Sequence, residues 1–194
     1  MNGVIMTDTT MDNHRTEDFS GLPGNLMMWI LILSELAVFG VAFVGFEVAR
    51  AFDPATFDAG QAHLDRLLGG VNTLVLVTSG YIAALGVEAG RKGLKAKASR
   101  LFIAASGVGS VFLVIKMVEY SATLSAGYTI DSDAFFGLYF MLTGFHALHV
   151  VFGIGLLLVV SFWNSVENLE TGAAFWHMVD LIWVLLYPIV YLIR

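Results

Sequence analysis

Apolar and polar positions alternate along this chain in blocks rather than singly. Five long apolar runs are separated by short stretches that hold most of the charge. About 20 helical residues cross a hydrocarbon core of roughly 30 Å. On that length the pattern predicts transmembrane helices over 25–49, 69–88, 101–120, 134–162 and 173–193, so an all-α, polytopic bundle of five. Pro23 and Gly24 mark the start of the first. Gly70, Thr73, Thr78, Ser79, Gly80 and Gly86 in the second suit close helix packing. The connection over 50–68 contains Asp53-Pro54 and is polar enough to lie at the surface. Residues 1–24 are mostly polar, contain no apolar core and read as a disordered cytoplasmic tail, not a signal peptide, with Met1, Met6 or Met11 as its start. The domain proper is 25–194.

The interruptions inside the apolar runs carry the chemistry. In the fourth run Tyr139, Thr143, His146, His149 and Gly153 recur at three- and four-residue steps, so a helix places them near one face. Met141, Leu148, Val151 and Phe152 fall opposite, toward lipid. Polar groups in hydrocarbon are costly, so another helix must meet that stripe. Glu35 lies about ten residues into the first run, near mid-bilayer at about 1.5 Å per residue, and is the candidate partner. Lys116 and Glu119 sit near the outer end of the third run, spaced for an ion pair and free to snorkel to the interface. His177 and Asp180 open the fifth run with the same spacing, which suits an Asp–His hydrogen bond. Behind them Trp183, Tyr187 and Tyr191 form an aromatic stripe best read as core packing.

Composition agrees with a membrane protein. The 194 residues are 57% hydrophobic and 13% charged, with a mean hydropathy of +0.77, where soluble domains are about a quarter charged. The absence of cysteine removes thiolate zinc sites, iron–sulfur clusters, c-type haem attachment and disulfides. Ten Lys and Arg against a net charge of −6 leave no basic arm for nucleic acid. Arg15 and the basic stretch over 91–100, read as a loop, put the N-terminus in the cytoplasm and the C-terminus outside. Trp29, Trp163 and Trp176 then fall at the cytoplasmic interface. No internal repeat supports an alternating-access transporter.

Histidines invite a haem or metal reading. His146 and His149 fall near mid-membrane and His177 close to the cytoplasmic face, an offset of roughly 10 Å from helix rise. A metal needs a third or fourth ligand at one depth, which only Glu35 offers. Hydrogen bonding and packing is the preferred role for the pair, and no catalytic, cofactor or metal residue is assigned. A stand-alone proton conductor through Glu35 and the histidines, and a di-haem electron carrier, are the competing classes.

The run Thr143-Gly144-Phe145-His146-Ala147-Leu148-His149-Val150-Val151-Phe152-Gly153 resembles a signature of the cytochrome c oxidase subunit III family. Phe175-Trp176-His177-Met178-Val179-Asp180-Leu181-Ile182-Trp183 resembles a second. Ser34-Glu35, Asn72-Thr73 with Ser79, and Glu119-Tyr120 agree in order. The resemblance implies a redox-silent subunit of a haem-copper respiratory complex in the bacterial inner membrane. Such a subunit packs against catalytic subunit I, which carries haem with copper or non-haem iron. It contacts phospholipid and supports assembly, stability and proton uptake. Glu35, Lys116, Glu119, His146, His149, His177 and Asp180 become structural, lipid-contacting or partner-contacting residues. The longer members have seven helices, and this chain begins at what would be their third. Lys116, where oxidase members commonly carry Gln, and Pro188 look most like the short NorE-type branch associated with nitric oxide reductase; a cytochrome c or quinol oxidase is the alternative.

Overall fold

A computed structural model describes residues 26–163 and 165–193; the expected 1–24 tail lies outside them. The helices are α1 (Leu26–Phe52), α2 (Pro54–Ala62), α3 (Arg66–Arg91), α4 (Lys95–Ser125), α5 (Ala134–Phe162) and α6 (Val166–Tyr187). A π-helical turn, Pro188–Leu192, extends α6. All but α2 are long and apolar enough to cross a membrane, so the expected five-span, all-α architecture holds. The lipid-facing assignment of Met141, Leu148, Val151 and Phe152 also holds, since all four are exposed.

Side-chain caps explain the boundaries that apolar runs alone misplace. Asp65 accepts from Leu68 N at 3.0 Å to start α3, and Asp133 from Phe136 N at 2.8 Å to start α5. The fifth span begins at Val166, not 173. Ser165 caps it, accepting from Asn168 N at 3.2 Å, and Glu167 faces the positive end of the helix dipole. Leu169 in this polar-looking turn is fully buried, and Glu170 pairs with Arg91 at 2.8 Å.

The 50–68 connection is not simply a surface loop. Asp53 followed by Pro54 is a helix start, with a capping carboxylate and a residue whose missing N–H costs nothing at the first position. The hydroxyl and amide of Thr56 hold the Asp53 carboxyl below its ordinary pKa. Within and just beyond α2, Phe57, Gln61 and Leu64 turn inward and are buried, a three- and four-residue spacing the polarity of the stretch hides. The basic 91–100 stretch is likewise mostly helix: α4 starts at Lys95, and the turn is short because Gly93 adopts φ 74°.

α6 is the axle of the bundle. It is the most enclosed span and packs on α3 and α5, while α1 is the least enclosed and leans on α6. At the C-terminal end of α6, Pro188, which lacks an N–H donor, opens a π turn in which Ile193 N–H reaches Pro188 O at 2.9 Å.

Candidate functional site: a polar seam inside the bundle

The largest departure from the sequence reading is at Lys116 and Glu119. They do not snorkel. Helix α4 runs on to Ser125, so both sit well inside the span, and they are only 2% and 4% exposed. Lys116 Nζ donates to Glu119 Oε2 at 3.0 Å, to the Tyr139 hydroxyl at 3.2 Å and to the Tyr191 hydroxyl at 2.6 Å. Each tyrosine hydroxyl in turn donates a hydrogen bond to Glu119 Oε1, at 2.9 Å from Tyr139 and 2.5 Å from Tyr191. All three ammonium hydrogens and both phenol hydrogens are therefore placed, with the carboxylate as the terminal acceptor. The rings of Tyr120, Tyr139, Trp183 and Tyr191 lie 4.9–5.3 Å from the ammonium, an aromatic cage around a buried cation. Beside it the Tyr120 hydroxyl donates to Thr143, because Thr143 spends its own proton on Tyr139 O at 2.6 Å.

The π turn that carries Tyr191 is also fastened by a separate set of bonds. Its unsatisfied carbonyls are taken by side chains from other helices: Arg50 Nη2 donates to Ile189 O at 2.8 Å, and Gln61 Nε2 to Val190 O and Ile193 O, both at 2.9 Å. Glu47 holds Arg50 from one turn back at 3.2 Å. Arg50→Ala is expected to cost about 1–3 kcal/mol by stranding a carbonyl. Hydrogen exchange should quicken over 190–193 with α5 amides unchanged.

A second part of the seam joins α5 to α1. His149 Nε2 lies 3.1 Å from Glu35 Oε2, so the partner expected for the histidine stripe is in place. His146 is not part of that contact. It is fully buried, and among the described residues neither ring nitrogen has a hydrogen bond. Its ring packs edge-on against Phe39 and Phe112 and tilted over Trp183 at 5.2 Å.

A third part joins α6 to α3. Trp176 Nε1 donates to Ser79 Oγ at 3.1 Å, and Ser79 donates to Ala105 O at 2.7 Å. Trp183 Nε1 donates to Thr73 Oγ1 at 3.0 Å, and Thr73 to Gly69 O at 2.9 Å. Trp176 is thus not an interfacial belt residue; ten residues into α6, it is fully buried. His177 and Asp180 do not open the helix either. Their Nδ1–Oδ2 distance of 3.7 Å is ion-pair range, longer than a hydrogen bond, and among the described residues Asp180 Oδ1 has no partner. Asp180 fits because Gly80 faces it; any side chain there would displace the carboxylate.

Depth separates His146 from His177 as expected. Trp183 stands beside His146, six residues and roughly 9 Å of helix rise from His177. His149 and His177 are nearer in height but face different helices, α1 and α3. Among the described residues no three His, Asp or Glu side chains gather as a metal-ligand set.

The sequence pattern of the family described as "Cytochrome c oxidase subunit III" matches residues 1–193. The chain belongs to the cytochrome c oxidase subunit III family. The cytochrome c oxidase subunit 3 of Synechocystis is 32% identical over 174 residues, covering 84% of this chain and 73% of the relative. That of Thermostichus vulcanus is 29% identical over 178 residues, covering 87% and 86%. A protein of Aeropyrum pernix named heme-copper oxidase subunit I+III is 28% identical over 187 residues, covering 86% of this chain and 22% of the relative. The subunit III motifs therefore acquire positions: Glu119 in the cage, Thr73 and Ser79 under the α6 tryptophans, Glu35 on His149. Reasoning from sequence missed Arg50 as more than a flanking charge, and missed Gln61 entirely. Only the inward spacing of Phe57, Gln61 and Leu64 could have signalled the latter.

Proposed function

We propose that this chain is the redox-silent third subunit of a haem-copper oxidase in a bacterial cytoplasmic membrane. It sits beside catalytic subunit I with its N-terminus in the cytoplasm and its C-terminus in the periplasm, in contact with phospholipid, and supports assembly, stability and proton uptake. The observation that carries the reading is the family match along residues 1–193. The cage is consistent with it, since its polar groups are spent on one another rather than on a reacting group. The name of the Aeropyrum pernix relative joins subunits I and III in one chain, which supports a partner directly alongside. In this reading haem and copper reside in the partner. Lys116 and Pro188 favour a second reading, the NorE-type branch, in which the partner is a nitric oxide reductase with haem and non-haem iron.

Purification of the tagged chain in mild detergent is expected to retain a haem-bearing catalytic subunit, whose spectrum separates the two readings. A colourless, partner-free preparation from cells expressing that subunit would sink both. His149→Leu removes the contact to Glu35 and should lower recovery of the complex severalfold. Haem per catalytic subunit should stay constant, and its proportional loss would make the histidine a ligand.

A further inference from the structure

One part of the seam opens toward the lipid instead of closing on itself. Between α1 and the α5–α6 pair lies a groove of about 270 Å³, lined by Leu31, Glu35, Leu148, His149, Phe152 and Phe175. Its rim residues Leu148 and Phe152 are exposed, and at its floor Glu35 and His149 keep 27% and 14% of their side chains accessible. Glu35 is nine residues past Leu26, roughly 14 Å along α1, so the floor lies deep in the bilayer.

The hydrogen bonds fix what the floor presents. His149 Nδ1 stands 2.9 Å from Phe145 O, and a carbonyl only accepts, so Nδ1 carries a hydrogen. Nε2 then meets Glu35 Oε2 at 3.1 Å, a contact of two lone pairs unless one proton lies between them. Whether that proton is drawn on the carboxyl or on the imidazole, the pair is neutral overall and holds one exchangeable hydrogen. Among the described residues, Glu35 Oε1 receives no hydrogen bond.

The geometry points to this groove as a binding site for the head ring of an isoprenoid quinone. A ligand reaching this depth from the lipid side must have an uncharged head, because charged phosphate, ammonium and carboxylate heads stay at the interface. It must also offer hydrogen-bonding atoms to a neutral donor–acceptor pair. A hydroquinone hydroxyl donates to the vacant Glu35 Oε1, and a quinone carbonyl takes a bifurcated share of the hydrogen between His149 and Glu35. The walls are apolar, and Phe152 and Phe175 stand edge to face at 5.2 Å, a surface suited to a flat ring. The volume falls just short of the roughly 300 Å³ at which whole-ligand pockets begin. It takes a ring and leaves the tail in the bilayer.

The test uses the full chain in phosphatidylcholine nanodiscs and a photoreactive azido-benzoquinone with a short isoprenoid tail. Crosslinks are expected within 31–35 or 148–152, displaced by decyl-benzoquinone and not by an equal concentration of dodecanol. Glu35→Leu with His149→Leu should weaken labelling about tenfold, as loss of a hydrogen bond to a part-buried polar group implies. Leu148→Trp fills the groove from an exposed position while leaving both members of the pair in place, and should abolish labelling at an unchanged melting temperature. Labelling that survives Leu148→Trp, or that dodecanol displaces equally, overturns the proposal by showing adventitious partition only.

Discussion

Replacing Lys116 with Met is expected to destabilise the bundle by about 3–5 kcal/mol, the cost of removing one partner of a buried charge pair. Glu119 would remain 4% exposed in hydrocarbon with no cation, and two phenol hydroxyls would lose the donor that orients them. The change also removes one of the two bonds that hold the Tyr191 hydroxyl to α4, leaving only Glu119, so the π turn should loosen with it. Thermal or SDS-induced unfolding of the purified chain reads the stability, and proteolysis at the C-terminus reads the turn. The informative comparison is the variant carrying Lys116→Met, Glu119→Leu, Tyr139→Phe and Tyr191→Phe together. It removes the ion pair and the two phenol hydroxyls bonded to it, and buried ion pairs replaced by packed apolar residues are commonly neutral or stabilising. It should recover most of the loss. A quadruple variant no better than the single one would show that the pair contributes net stability, against this account.

The cage also marks where the sequence stops being legible. Lys116 and Glu119 were readable as a pair from their spacing, because an i,i+3 contact is local. Their depth was not, because it depends on α4 continuing through a polar tail to Ser125. Nor were Tyr139 and Tyr191 readable as their partners, twenty or more residues away on other elements. The Glu35–His149 contact was legible for a different reason. A carboxylate and an imidazole near mid-bilayer have few partners to choose from, so cost narrows the options to each other. His146 on the same stripe shows the limit of that argument: periodicity put it on the buried face, yet it packs among rings without a hydrogen bond. The start of α6 failed for a simpler reason. Hydropathy sees Glu167, Asn168 and Glu170 as loop, whereas a capped first turn with one buried leucine is helix.

Trp176→Ala should cost about 3–5 kcal/mol, as large core truncations do. Little drives helices together in lipid except packing and hydrogen bonds, and Trp176 supplies both. Its six-membered ring is seated against Gly109 of α4 and Gly153 of α5, where an added Cβ would fall 2.7–2.9 Å from ring carbons. Its indole N–H is held by Ser79 of α3. One side chain therefore ties three helices to the axle. Ser79→Ala removes only the polar link and should cost less, about 1–3 kcal/mol, by leaving a buried donor unpaired. The glycine supplies the decisive control. In the natural background Gly153→Val overpacks the ring and should destabilise by about 1–3 kcal/mol. In the Trp176→Ala background the same valine enters the vacated space and should restore part of the loss. That reversal of sign, read by unfolding of the four proteins, requires the two residues to share one volume; additive losses would show that Trp176 acts elsewhere.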